Sequence, residues 1–185
     1  DDLEVYRRIN GSDSRVELLL NAAPQPSVVE QGGNPFIAGA SFQTSSNDLP
    51  EEMMLGDVNG DGNVAVVTTN FRDEVWVFFG DGLGGITGEM MSTFNAPASG
   101  ESPKDAFLAD FNNDGILDIA AGFTSTNTVI NDPVRVLLGA GDGAFGGQLE
   151  TPACDQVLGI DATDMDGDGD LDLFVGCDDD EHFAT

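Results

Sequence analysis

Short apolar runs, each closed by glycine or polar residues, recur along the whole chain. The clearest lie at residues 64–69, 116–121 and 171–175, and their length and apolar, β-branched content are typical of buried strands. Shorter apolar runs precede them, for example at 53–55 and 106–108. Nowhere do apolar residues recur at helical spacing over several turns. The pattern therefore predicts an all-β chain without a helix of useful length.

A loop in which acidic or amide side chains alternate with other residues precedes each of the three clear runs. These loops occupy residues 57–65, 110–118 and 164–172, and their starting points are almost evenly spaced. Glycines within them allow tight turns that can point several oxygens at one centre. Hard oxygen ligands on a flexible loop favour Ca²⁺ over Mg²⁺, and the absence of cysteine and histidine from the three loops argues against zinc. The regular spacing indicates a repeat architecture.

An EF-hand is the obvious alternative for such loops, but it needs a bidentate glutamate at position 12 and a helix on each side. Position 12 is Thr68, Ala121 and Val175 in the three loops, and the flanking runs predict strands. We therefore expect each loop to join two strands, with ligands at positions 1, 3, 5 and 9 and the backbone carbonyl at position 7.

The expected ligands of the three loops include three residues, Asn63, Ile116 and Asp170, that would contribute backbone carbonyls. The full set is Asp57, Asn59, Asp61 and Asn63 in the first loop, Asp110, Asn112, Asp114, Ile116 and Asp118 in the second, and Asp164, Asp166, Asp168, Asp170 and Asp172 in the third. Position 9 of the first loop is Ala65, which offers no carboxylate. We expect about three Ca²⁺ sites, of which the 57–65 site is the weakest.

The loop pattern, Asp-x-Asp/Asn-x-Asp-Gly-x-x-Asp followed by a buried strand, resembles the FG-GAP/VCBS repeats of integrin-like β-propellers. Residues 75–86 and 134–146 look like the strand, glycine-rich turn and outer strand that follow the metal loop in that family. The resemblance covers nearly the whole chain. It implies a β-propeller-like array of four-stranded antiparallel blades, with a calcium loop between the first two strands of each blade.

The resemblance also implies a division of the chain into four units. Residues 1–47 would form a partial blade of three strands with a long loop at 21–34, followed by blades at 48–97 and 101–152. Residues 155–185 would supply two strands of another blade. Propellers have four to eight blades, so we expect an incomplete propeller or one completed by neighbouring copies. Self-association through the terminal partial blades, into a ring or filament, is one hypothesis.

The composition is strongly acidic, with 34 aspartate and glutamate residues against six lysine and arginine residues and a net charge of −28. Such a surface repels nucleic acid and anionic membranes, which we exclude as partners. For the acids outside the loops, adaptation to salt or simple solubility is an alternative explanation. No apolar run is long enough for membrane insertion. Loops of this kind suit the millimolar calcium outside cells, which favours a secreted or cell-surface protein.

Cys154 and Cys177 flank the third loop. Antiparallel strands on either side of that loop could bring them together as a disulfide, which fits an oxidising compartment. If Asp164 lay opposite Asp172, however, Cys177 would lie opposite position 159, and a bridge would need the preceding chain to fold back. Two buried free thiols are the alternative.

We do not expect an enzyme, because the carboxylates belong to the repeated loops and no acid pair stands out. His182 is the only histidine and has no evident nucleophilic partner. A lyase-like portion of a polysaccharide-active enzyme is an alternative, with catalytic groups elsewhere or in the 21–34 loop. The principal expectation is an extracellular calcium-binding repeat protein with a structural or adhesive role.

A protein or glycan ligand is the partner expected for an adhesive role, and aromatic side chains could form part of its binding surface. Four candidates are Phe71, Trp76, Phe94 and Phe123. Aromatic residues in such repeats also fill the space between neighbouring blades, and core packing is favoured for Trp76. A large exposed apolar patch would favour the ligand.

Overall fold

A computed structural model describes residues 3–10, 13–21, 36–43, 50–95, 101–125, 132–154 and 156–178. Within these ranges every regular element is a strand, which confirms the all-β class. The strands are β1 (Leu3–Asn10), β2 (Asp13–Asn21), β3 (Phe36–Gln43), β4 (Pro50–Gly56), β5 (Ala65–Asn70), β6 (Glu74–Gly80), β7 (Ile86–Thr93), β8 (Glu101–Ala109), β9 (Asp118–Ser125), β10 (Asp132–Gly139), β11 (Phe145–Cys154), β12 (Val157–Thr163) and β13 (Asp172–Cys177).

The strands form four antiparallel sheets, each made from strands consecutive in sequence. Their orders are β1-β2-β3, β4-β5-β6-β7, β8-β9-β10-β11 and β12-β13, and none of these sheets closes on itself. We number the sheets first to fourth in chain order. The three aspartate loops connect β4 to β5, β8 to β9 and β12 to β13, so each joins neighbouring antiparallel strands. His182 and residues 22–34 lie outside the described residues.

The second strand of each four-stranded sheet is buried on both faces. All six residues of β5 are buried, as are the first six of β9, whereas β7 and β11 are largely exposed. A strand covered on both faces needs a continuous apolar sequence instead of an alternating one. The continuous runs at 64–69 and 116–121 therefore arise because neighbouring sheets stack against each side of β5 and β9.

Three apolar clusters fill the spaces between successive sheets. The largest joins the second and third sheets and contains Val67, Val77, Ile119 and Leu137 among others. The second joins the third and fourth sheets, and the third contains Val16, Val66 and Phe78 between the first and second sheets. Face-to-face stacking of sheets thus provides the core.

Close packing between the third and fourth sheets depends on one glycine. A Cβ atom at Gly122 of β9 would lie 2.3 Å from Cγ1 of Val157 in β12. Any side chain larger than hydrogen would therefore push β12 away from β9. Gly122 fixes how closely the strand before the third loop approaches the rest of the chain.

Two of the four candidate aromatic residues lie in the core. Phe94 and Phe123 are buried, and their rings meet edge to face with centroids 5.2 Å apart. Trp76 is partly buried and packs against the cluster that contains Phe78. Phe71 is half exposed. Core packing thus explains Phe94 and Phe123, and Phe71 keeps an accessible surface.

Cys154 and Cys177 form a disulfide that links the end of β11 to the end of β13. The register expected from the sequence places Asp164 opposite Asp172. In the structure Thr163 pairs with Asp172 instead, so the expected register is wrong by one position. A bulge between Val157 and Gly159 then places Cys177 opposite Val157. Since β11 ends at Cys154, just before β12 begins, the two Cα atoms come within 6.1 Å.

A charged residue, Arg135 of β10, is fully buried at the end of the third sheet away from the loops. Its Nη2 donates to Oε2 of Glu101 at 2.6 Å, and its Nε donates to Oε2 of Glu150 at 2.8 Å. The guanidinium also lies 4.2 Å from the ring centroid of Phe123. Two carboxylates and an aromatic face together compensate the buried cation.

The turn between β5 and β6 brings a further carboxyl group, Asp73, towards Arg135. Burial raises the pKa of Asp73 to about 6; the charge of Arg135 lowers it and that of Glu101 raises it. The residue has a φ of 61°, and its Oδ1 is buried without a hydrogen-bond partner among the described residues. Its main chain is fixed, since Asp73 N donates to the carbonyl of Asn70 and its carbonyl accepts from Phe94 N.

Candidate metal centre

The first aspartate of each loop holds the loop in shape by accepting main-chain hydrogen bonds. In the first loop Oδ1 of Asp57 accepts from Gly60 N at 2.8 Å, and Oδ2 accepts from Gly62 N at 2.9 Å. Asp164 makes the same two bonds in the third loop, to the amides of residues 167 and 169. Gly60 and Gly62 have φ of 71° and 84°, a region that glycine enters without strain.

The second loop is a variation on this arrangement. Oδ1 of Asp110 accepts from Asp114 N at 3.1 Å, and Oδ2 accepts from Gly115 N at 2.8 Å. Position 4 of this loop is Asn113, which has a φ of 58°. Asparagine is among the few residues that adopt this conformation readily.

The side chains at positions 3 and 5 also accept hydrogen bonds from main-chain amides in all three loops, in each case from the residue two positions later. The position-3 oxygens accept from the amide at position 5, at 3.0 to 3.2 Å, and the position-5 carboxylates accept from the amide at position 7, at 2.7 to 2.9 Å. Hydrogen bonds from the backbone of Asn63 and the side chain of Asn59 lower the pKa of Asp61. These turns hold ionised carboxylates on a short, exposed piece of chain.

Position 9 connects the loop to the rest of its sheet. Asp118 is fully buried; its Oδ2 accepts from Phe111 N at 3.0 Å and its Oδ1 accepts from Gly139 N at 2.8 Å. Asp172 makes the first of these bonds in the third loop, with Met165 N at 3.0 Å. Ala65 cannot make either bond. The carboxylate at position 9 therefore has a structural role in addition to the metal-binding role predicted for it.

The carboxylates converge most closely in the third loop. One ligand oxygen each from Asp164, Asp166 and Asp172 lies within 4.8 Å of the other two, and all three residues are exposed. Among the histidine, cysteine and acidic residues that the structure describes, no other group of three meets this criterion. Asp168 does not join this group. The remaining predicted ligands in the three loops stay predictions.

The first and second loops lack such a group. The first has only two carboxylates at ligand positions, Asp57 and Asp61, since positions 3 and 9 are Asn59 and Ala65. The second has three carboxylates, Asp110, Asp114 and Asp118, but their oxygens do not all come within that distance of one another. The chemistry of the third group, three exposed carboxylates without sulfur or imidazole, fits a hard cation such as Ca²⁺, with room for water ligands.

One contact between loops was not predicted from the sequence. Nδ2 of Asn113 in the second loop donates to Oδ1 of Asp170 in the third. Asp170 stands at position 7, where the metal prediction uses the backbone carbonyl, so its side chain is available for this bond. The alternation of acids alone could not reveal the contact because the two residues are 57 positions apart.

Comparison with family models matches residues 57–121 to the FG-GAP-like repeat. The matched segment runs from the first residue of the first loop into β9, and so contains two complete loops. The resemblance to FG-GAP repeats is thereby confirmed. No curated protein matches the chain. No helix among the described residues is long and apolar enough to cross a membrane.

Proposed function

Because residues 57–121 carry an FG-GAP-like repeat, we propose that this chain is a calcium-stabilised segment of a β-propeller. Four-stranded antiparallel sheets that stack face to face support the architecture, since propeller blades are sheets of this kind. Each aspartate loop joins the first two strands of its sheet, the place that the resemblance assigns to the metal.

The single observation that carries the calcium proposal is the convergence of Asp164, Asp166 and Asp172 within 4.8 Å. Three ionised carboxylates at this separation repel one another unless a cation lies among them. Bound calcium removes that repulsion and ties two adjacent strands together, so its binding free energy becomes folding free energy. The same role falls to the predicted ligands of the loops at 57–65 and 110–118, with the 57–65 loop binding most weakly.

The setting we propose is outside the cell. The disulfide between Cys154 and Cys177 fits an oxidising compartment, and exposed loops fit millimolar calcium. A structural or adhesive role follows, with a protein or glycan as the partner class. We assign the loop carboxylates to metal binding and not to the acid–base pair of an enzyme, because they recur as a set in each of the three loops.

Thermal unfolding followed by circular dichroism, in calcium and then in excess chelator, tests the metal proposal together with metal counting by native mass spectrometry. We expect one ion per loop and a clear drop in the melting temperature on chelation, with magnesium restoring little of it. A chain that binds no calcium and melts identically in both buffers would refute the proposal.

Matched variants locate the effect in the third loop. Asp166→Ala should reduce the calcium-dependent gain in melting temperature, whereas Asp166→Asn should keep most of it, because asparagine stands at this position in the other two loops. Glu89→Gln removes one exposed charge in β7 and should leave the gain unchanged. An equal loss in all three variants would indicate a general effect of charge and not a metal ligand.

A further inference from the structure

The first loop differs from the second in the residue that follows position 3. There Asn59 precedes Gly60, whereas the second loop has Asn112 followed by Asn113. An asparagine side chain can react with the main-chain nitrogen of the next residue, and glycine allows this most readily because it has no Cβ to obstruct the approach. Gly60 is exposed, and a Cβ atom added to it would meet nothing within 4 Å beyond its chain neighbours.

The hydrogen bonds of the first loop place the three groups that this reaction needs. The Gly60 N–H, which must lose its proton, donates to Oδ1 of Asp57 at 2.8 Å. The Asn59 Oδ1, which gains negative charge during attack, accepts from Asp61 N at 3.2 Å. The leaving nitrogen, Nδ2 of Asn59, donates to Oδ2 of Asp61 at 3.0 Å. A carboxylate within hydrogen-bond reach can accept the proton, and an amide N–H stabilises the developing charge.

We infer that Asn59 is a site of spontaneous deamidation, which converts the first loop into a loop with one more carboxylate. The Gly60 nitrogen forms a bond to Cγ of Asn59 and passes its proton to Asp57. The Cγ–Nδ2 bond breaks and, with a proton returned from the carboxylate, ammonia leaves a cyclic imide. Water then opens the ring, giving an aspartate or an isoaspartate at position 59 with no change in oxidation state.

The aspartate product has a direct consequence for metal binding, and this consequence rests on the proposed function. With aspartate at position 59, the loop has acids at positions 1, 3 and 5, as the third loop has with Asp164, Asp166 and Asp168. The extra charge compensates for Ala65, which offers no carboxylate at position 9. Calcium affinity in oxygen-ligand loops increases with the number of charged ligands. The isoaspartate product instead lengthens the backbone and displaces the carboxyl group, which weakens the loop.

The second loop provides an internal control. Asn112 makes the same two contacts with Asp114 that Asn59 makes with Asp61, each at 3.0 Å. There, however, Oδ1 of Asp110 accepts from Asp114 N instead of from the residue after the asparagine. The following residue, Asn113, also has a side chain. Deamidation is therefore expected to be faster at position 59 than at position 112.

Peptide mapping by mass spectrometry after prolonged incubation in mildly alkaline chelator buffer tests the inference. We expect the small mass increase of amide-to-acid conversion at Asn59, several-fold faster than at Asn112. The variant Gly60→Asn copies the second loop, where asparagine holds a φ of 58°, and should slow the conversion to about the rate at Asn112. Equal rates at Asn59 and Asn112, or unchanged conversion in Gly60→Asn, would overturn the inference.

A second arm separates this inference from the proposed function. Saturating calcium should slow conversion at Asn59, because the groups that promote the reaction become metal ligands. Equal rates with and without calcium would contradict calcium binding by this loop and leave the deamidation chemistry supported. In the variant Asn59→Asp, a calcium titration followed through the amide resonances of Gly60 and Gly62 should give about tenfold tighter binding than in the parent protein. Unchanged or weaker binding would overturn the affinity consequence.

Discussion

Replacing Asp73 by asparagine should stabilise the protein at neutral pH. Burial raises the pKa of this carboxyl group from 3.8 to about 6, and its Oδ1 lies buried without a hydrogen-bond partner among the described residues. Above pH 6 the folded protein must therefore keep a poorly solvated charge that the unfolded chain exposes to water. Asparagine has the same shape, carries no charge and tolerates the φ of 61° at this turn.

The sign and size follow from the two pKa values. Because the pKa of Asp73 is higher in the folded state, its stabilising contribution is complete below pH 3.8 and is lost as the pH rises through about 6. The full difference corresponds to about 3 kcal/mol at 1.36 kcal/mol per pH unit. The carboxyl group of Asp73 is only partly buried, and screening by solvent reduces this free-energy difference. We therefore expect Asp73→Asn to increase the free energy of unfolding by about 1 kcal/mol above pH 6.

Urea-induced unfolding in chelator, at a pH above 6 and at one below 3.8, measures this gain. The chelator removes metal binding as a source of pH dependence, and the comparison of variant with parent cancels the titration of the other carboxylates. Glu89→Gln, at an exposed position, is the control and should show little difference at either pH. The reasoning is refuted if Asp73→Asn destabilises the protein at neutral pH, or if its effect is the same at both pH values.

Two further substitutions test the packing of the sheets. Arg135→Met should destabilise the protein by about 3 kcal/mol in urea unfolding, because it leaves the buried carboxylate of Glu101 without its cation; a loss below about 1 kcal/mol would contradict this. Gly122→Ala should cost about 2 kcal/mol, since the new Cβ would lie 2.3 Å from Val157. Gly146→Ala, where a Cβ would meet nothing within 4 Å, is the matched control and should differ from the parent by less than about 0.5 kcal/mol.

The strand positions could be predicted because the decisive information is local. Continuous apolar runs identify strands, and the structure places β5, β9 and β13 at the three clearest runs. The prediction of burial holds for β5 and β9 and is wrong for β13, which is largely exposed. The loops could be located for the same reason, since alternating acids and glycines create turns within nine residues. The all-β class and antiparallel pairing of neighbouring strands follow from such short-range patterns.

What could not be predicted depends on partners distant in the chain. Arg135 lies between two valines and resembles the exposed position of an alternating strand, yet it is buried because Glu101 and Glu150 meet it from β8 and β11. The second hydrogen bond of Asp118, which Gly139 N donates, joins residues 21 positions apart. The bulge in β12, between Val157 and Gly159, shifts the register near Cys177, and Gly159 alone does not fix where the extra residue lies.

The disulfide between the ends of β11 and β13 has a mechanical consequence. Tension applied beyond Cys177 passes through the bridge directly to Cys154, so the residues between them, including the third loop, carry no load. In oxidising surroundings that loop could keep its carboxylate geometry while the chain on either side is stretched. Reduction would release the segment between the two cysteines, which are 23 positions apart, lengthening the chain by about 70 Å under full extension, and would expose the loop to the applied force.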